Sequence, residues 1–187
     1  MNIPNSLTVL RIILIPIFVL VFYLPFKWHA LAACLVFSLA ALTDLLDGYL
    51  ARRLNQISQL GAFLDPVADK LMVAVALVLL VQRDPRIMLV LPAVVIIGRE
   101  ITVSALREWM AELGARSRVA VSIFGKVKTI AQMVALILML LRDPLFGLPV
   151  YELGIGLLYL AAILTLASLC QYLTSAWPKL RETTGKQ

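Results

Sequence analysis

The sequence predicts an all-α integral membrane protein: six transmembrane helices with a short N-terminal interfacial helix. Three observations carry this. Of the 187 residues, 61% are hydrophobic, against about half in a soluble globule. Mean hydropathy is +0.94. The apolar residues gather into six runs close to the ~20 residues that a hydrocarbon core demands of one helix.

The runs follow in order. The first extends from Val9 to Phe26, the second from Leu31 to Leu50 and the third from Gly61 to Val81. The fourth extends from Ile87 to Leu106, the fifth from Phe124 to Leu141 and the sixth from Leu153 to Leu173. Ahead of them, "MNIPNSLT" places Pro4 before the capping residues Asn5 and Ser6, the start expected of a short helix lying on the membrane surface. The first run has no small-residue cleavage site, so it is expected to remain as a helix. No repeat, linker or low-complexity stretch divides the chain, and residues 1–187 read as one domain.

"FKWH", "QRDPR" and "RDPLFGLP" break the runs on one side; "ARRLNQISQ", the 107–128 segment and the tail break them on the other. Ten of the 17 Lys and Arg residues, from Arg52 to Lys186, fall on the second side; four, Lys27, Arg83, Arg86 and Arg142, fall on the first. The positive-inside rule therefore predicts both termini in the cytoplasm. The net charge of +6 is read as topology and attraction to anionic lipid, with no nucleic acid implied. Cys34 and Cys170 sit in apolar runs, form no CxxC pair and read as small packing residues.

Against this background "DLLDGYLARRLNQISQLGAFLDPVADK", residues 44–70, stands apart. Asp44 and Asp47 are three apart at the end of the second span; Asp65 and Asp69 are four apart at the start of the third. Each pair shares a helix face, and the short connection lets the pairs meet at one depth. Carboxylates cost at least ~2.5–3.5 kcal/mol each at the centre of a membrane helix, and four together repel unless cations lie between them. Oxygen-only donors favour Mg²⁺, Mn²⁺ or Ca²⁺ over zinc, and a two-metal site would use all four. Gly48, Ala51 and Gly61 keep the same faces low, and Arg52, four after Gly48, suits a phosphate. Taken singly, the glycines read as helix-packing contacts, Arg52 as a positive-inside anchor, and one Asp as a helix–helix partner or proton relay. The combined spacing, D-x-x-D-G-x-x-A-R, eight residues, then G-x-x-x-D-x-x-x-D, weakens those readings together.

That constellation resembles the signature of the CDP-alcohol phosphatidyltransferases at every fixed position. The resemblance extends to "NSLTVLR", "GREITVSALREWMAELG" and "GKVKT". It implies that an alcohol attacks the phosphorus attached to diacylglycerol in a CDP-linked lipid and that CMP leaves. It implies two divalent cations, Mg²⁺ or Mn²⁺, on Asp44, Asp47, Asp65 and Asp69, with Asp69 also the general base. Thr8, Gly48, Ala51, Arg52 and Gly61 would border the CDP moiety. The resemblance further implies a homodimer in the bacterial inner membrane, with its site facing the cytoplasm.

The acceptor is suggested by charge. The ends of spans four and five carry Arg99, Arg107, Arg116, Arg118, Lys126 and Lys128, which suit an anionic alcohol. The downstream resemblance points to sn-glycerol 3-phosphate, giving phosphatidylglycerol phosphate. Arg118, Lys126 and Lys128 are the expected phosphate contacts, with Arg107 a further candidate. Arg99 beside Glu100 reads equally as a structural ion pair. An Asp-rich prenyltransferase is the competing enzyme, but spans four to six hold no second Asp-rich motif. A cation transporter would leave Gly48, Gly61 and Arg52 unexplained.

Overall fold

The computed structural model describes residues 3–53, 59–112, 123–144 and 147–184. These form six helices: α1 (Ile3–Tyr23), α2 (His29–Arg53), α3 (Gln59–Arg83), α4 (Ile87–Glu112), α5 (Ile123–Leu141) and α6 (Val150–Thr184). Three of them contain stretches long and apolar enough to cross a membrane: Asn5–Tyr23, Ile87–Ala111 and Val150–Thr174. Among the described residues, His29–Asp44 of α2 and Val127–Leu141 of α5 are shorter apolar helical stretches. The segment expected to form a separate interfacial helix is instead continuous with the first span: α1 begins at Ile3 and runs unbroken to Tyr23.

The breaks follow from backbone chemistry. Pro85 and Pro144 disfavour helix in the residues before them, and α3 and α5 end two and three residues earlier. Arg142, just past α5, takes the left-handed φ of 62°, a conformation common at helix C-termini. Pro16, Pro66 and Pro92 lie inside helices. Each lacks the N–H that a helix would donate four residues back, a loss that neighbouring helices make tolerable in membrane bundles.

Every helix sends a fully buried side chain inward: Phe18, Phe37, Leu77, Ile96, Leu136 and Leu158. Phe18 and Phe37 join α1 to α2 at a ring separation of 5.9 Å. Outward, each helix exposes large apolar residues, among them Leu20, Leu35, Val78, Val94, Ile130 and Ile163. Such a surface is unsuited to water over a whole bundle. Where lipid surrounds the helices, close packing holds them together. Gly154 of α6 shows how close: a Cβ there would stand 2.5 Å from Met139 Cγ and 3.0 Å from the Ala135 carbonyl oxygen of α5.

Candidate active site

The acidic pairs lie where α2 ends and α3 begins, and α1 crosses them. Arg11 is 1% exposed. Its Nη1 lies 2.9 Å from Asp44 Oδ1, and its Nη2 pairs with Asp47 Oδ2. One turn earlier on α1, Thr8 Oγ1 donates to Asp65 Oδ1 at 2.5 Å. Residues three apart share a helix face, so α1 lays one donor face over carboxylates from both neighbours. The repulsion expected among the acids is thus met in part by a guanidinium from the chain itself. Among the described residues, no three Asp, Glu, His or Cys side chains form a ready metal cage.

Beyond Asp69 the site opens into a cavity of about 250 Å³, walled by Asp69, Arg99, Glu100, Arg107, Lys128 and Tyr172 among others. Arg99 and Lys128 are buried. Arg99 donates to Glu100 Oε1 at 2.5 Å and to Ser168 Oγ at 3.1 Å, and Lys128 Nζ donates to the same Glu100 oxygen at 3.3 Å. Lys70, next to Asp69, pairs with Ser104, whose hydroxyl donates to the Glu100 carbonyl at 2.5 Å. Arg107 Nη2 donates to Tyr172 Oη at 2.7 Å. The Arg99 Nε is buried and has no hydrogen-bond partner among the described residues. One wall of the cavity is thus a carboxylate able to take a proton. The others carry cations able to hold an anion, two of which, Arg99 and Lys128, share Glu100 as counter-charge.

The expected site residues fall as follows. Asp44, Asp47, Asp65, Thr8 and the buried Gly61 belong to the acidic end, with Asp69 at its border with the cavity. Arg107 and Lys128 line the cavity. Gly48, Ala51 and Arg52 belong to the last two turns of α2, and Lys126 to the first turn of α5. Arg116 and Arg118 lie outside the described residues. Arg99 and Glu100 form the ion pair that their sequence adjacency suggested, and they also wall the cavity. Arg11, Lys70, Ser168 and Tyr172 were not singled out. Only Arg11 carried a signal: an arginine at the third position of a strongly apolar run needs a partner.

A family model described as CDP-alcohol phosphatidyltransferase matches residues 1–169. The chain is 60% identical over 188 residues to a Pseudomonas fluorescens protein named CDP-diacylglycerol–glycerol-3-phosphate 3-phosphatidyltransferase, covering 100% of this chain and 95% of that one. It is 58% identical over 175 residues to proteins of the same name from Escherichia coli K12 and Shigella flexneri, covering 94% of each partner in both comparisons.

Proposed function

We propose a reaction from one premise: the chain belongs to the CDP-alcohol phosphatidyltransferase family. The reaction is transfer of the phosphatidyl group from CDP-diacylglycerol to sn-glycerol 3-phosphate, giving phosphatidylglycerol phosphate and CMP. The full-length likeness to relatives named for that activity supports it. The observation that carries it within the molecule is the cavity joining Asp69 to Arg99, Arg107 and Lys128. An acceptor with a phosphate at one end and a hydroxyl at the other needs cations at one wall and a proton acceptor at the opposite one.

The acceptor phosphate sits against Arg107, Lys128 and Arg99, whose Nε is left over for an oxygen. Arg118 and Lys126 complete the set from the α4–α5 connection and the first turn of α5. The acceptor hydroxyl faces Asp69. As its oxygen bonds to the lipid-bearing phosphorus and the bond to CMP breaks, its proton passes to the Asp69 carboxylate. That base is weak toward an alcohol in the ground state and sufficient when proton loss comes late, as a loose transition state allows. Thr8, Gly48, Ala51, Arg52 and Gly61 border the CDP moiety.

Asp44, Asp47, Asp65 and Asp69 would hold two divalent cations, Mg²⁺ or Mn²⁺. The donor set fits: every side-chain donor is a carboxylate oxygen, and the pairing of Arg11 with Asp44 and Asp47 marks a position that calls for positive charge. When bound, the cations offset charge on the pyrophosphate and on departing CMP.

Residues 1–187 form one domain of six membrane spans in a bacterial inner membrane, active as a homodimer. The first turns of α1 lie at the membrane surface, and both termini and the acidic end face the cytoplasm. The basic bias supports this orientation. Reporter fusions after Ala30 and Arg83 are expected to read outside, and those after Asn55 and Arg181 inside.

The deciding experiment is CMP release by purified protein given CDP-diacylglycerol and a panel of alcohols. Glycerol 3-phosphate is expected to support turnover, with choline, serine and inositol phosphate at background. Chelator should stop it, and Mg²⁺ or Mn²⁺ should restore it. Turnover with another alcohol alone, or full activity in excess chelator, refutes the corresponding half of the reading. Asp65→Asn is expected to reduce turnover by about 10²–10³-fold, the scale seen when a group stabilising developing charge is removed. Asp69→Asn at wild-type turnover would remove the base role.

A further inference from the structure

Thr165, Ser168 and Tyr172 stand at i, i+3 and i+7 on α6, and all three are buried. Residues so spaced form one stripe, and this polar stripe interrupts an otherwise apolar helix of the kind that crosses a membrane. Two of its three members touch the arginines of the cavity. Ser168 Oγ accepts from Arg99 Nη2 at 3.1 Å. Tyr172 meets both: Arg99 Cζ lies 5.9 Å from its ring centroid, Arg107 Cζ lies 5.2 Å from it, and its hydroxyl accepts from Arg107 Nη2.

A long, flexible arginine pays side-chain entropy each time it is fixed on a ligand. Arg99 and Arg107 are eight apart on α4, two turns, and nothing in α4 alone sets the spacing of their head groups. The Tyr172 ring takes one guanidinium against its face and a second at its face and hydroxyl. It thereby sets their separation before any anion arrives, the condition for binding without a large ordering cost. From this geometry we propose that Tyr172 is a positioning residue for the acceptor phosphate, acting through Arg107. This rests on the reading of the cavity as the acceptor site. Tyr172 does not touch the reacting atoms, so its loss should act on acceptor affinity and leave the chemistry unchanged.

The test uses the whole purified enzyme in lipid-containing micelles and follows CMP release by wild type, Tyr172→Phe, Arg107→Gln and the double variant. Tyr172→Phe keeps the ring and loses only the hydroxyl. It is expected to raise KM for glycerol 3-phosphate about fivefold, the scale of one hydrogen bond to a charged group partly lost. Its kcat and its KM for CDP-diacylglycerol should stay within about twofold of wild type, and its unfolding midpoint should not move. Because the hydroxyl acts through Arg107, adding Tyr172→Phe to Arg107→Gln should change the glycerol 3-phosphate KM by less than about twofold. The proposal is overturned if Tyr172→Phe keeps the wild-type acceptor KM while Arg107→Gln does not, or if the two effects multiply. If Arg107→Gln itself keeps wild-type acceptor kinetics, the fault lies earlier, in the assignment of the cavity, and the positioning role falls with it.

Discussion

At the acidic end of the bundle, Arg11 reaches 36 positions along the chain to Asp47, and Thr8 reaches 57 to Asp65. At the far end, Arg86 grips Asp84 from two residues away, through Nε at 2.8 Å and Nη2 at 2.7 Å. There Arg83 rests against His29 at 2.9 Å, and Tyr151 donates to Asp84 at 2.6 Å. The first set includes buried charges and is assembled from three helices. The second is built on an ion pair within the α3–α4 turn, whose cation Arg86 is 61% exposed, and is tied to α2 through His29 and to α6 through Tyr151. Buried charges are strongly destabilising when one partner is removed, whereas exposed pairs contribute little. The far end closes the bundle by packing and turns; the acidic end holds charges that packing alone would reject.

The two ends differ most at Arg11. Arg11→Gln leaves Asp47 buried without its cation and is expected to cost about 3–5 kcal/mol. Thermal unfolding of chelator-treated protein measures it, and an unchanged midpoint would show that the carboxylates do not depend on α1. Lys128→Ala comes next. It removes one charge-assisted contact of roughly 1.5–3 kcal/mol and should raise KM for glycerol 3-phosphate about tenfold to a hundredfold, with KM for CDP-diacylglycerol nearly unchanged. Gly154→Ala tests the packed half. The added methyl group presses on Met139 and the Ala135 carbonyl, at an expected cost of about 1–3 kcal/mol, read in the unfolding midpoint with acceptor KM unaltered.

Asp84→Asn should be smallest, a midpoint shift below about 2 °C. Hydrogen bonds from Arg86 and then Tyr151 hold the Asp84 carboxyl well below the usual carboxylate range. Its contribution is therefore present above the unfolded value of ~3.9 and is lost as pH falls through the lower folded value. The variant's deficit should be equal at pH 7 and pH 5.5 and shrink below about pH 4. A deficit that grows with acid would contradict the pairing.

The six helices were legible because lipid-length apolar runs and Asp-Pro breaks are local features. The helix ends were less so: α4 continues to Glu112 and α6 to Thr184, past the apolar runs, because backbone hydrogen bonding does not stop where hydropathy does. The acidic stripe was legible because helical spacing places Asp44 with Asp47 and Asp65 with Asp69. Arg11 was hidden, since no spacing within α1 says that it meets α2. Tyr172 was hidden for a related reason: a tyrosine in an apolar helix reads as packing until α4 sets Arg107 beside it. Lys128 was visible as one of the cations crowding the ends of spans four and five, but its pairing with Glu100, 28 residues earlier, was not.

The ion pairing of Arg11 bears on how the chain enters a bilayer. A ribosome delivers α1 before α2, so the earlier of the two helices carries an arginine within a stretch of mean hydropathy 2.4, and the later carries two aspartates. Inserted singly, each helix faces the cost of an uncompensated charge near hydrocarbon. Inserted as a hairpin, with α1 packed along α2, the arginine is met by Asp44 and Asp47 as they arrive. The contact that holds the acidic end in the finished protein thus favours release of the first two helices as a pair, and loss of Arg11 would be felt in biogenesis before it is felt in catalysis.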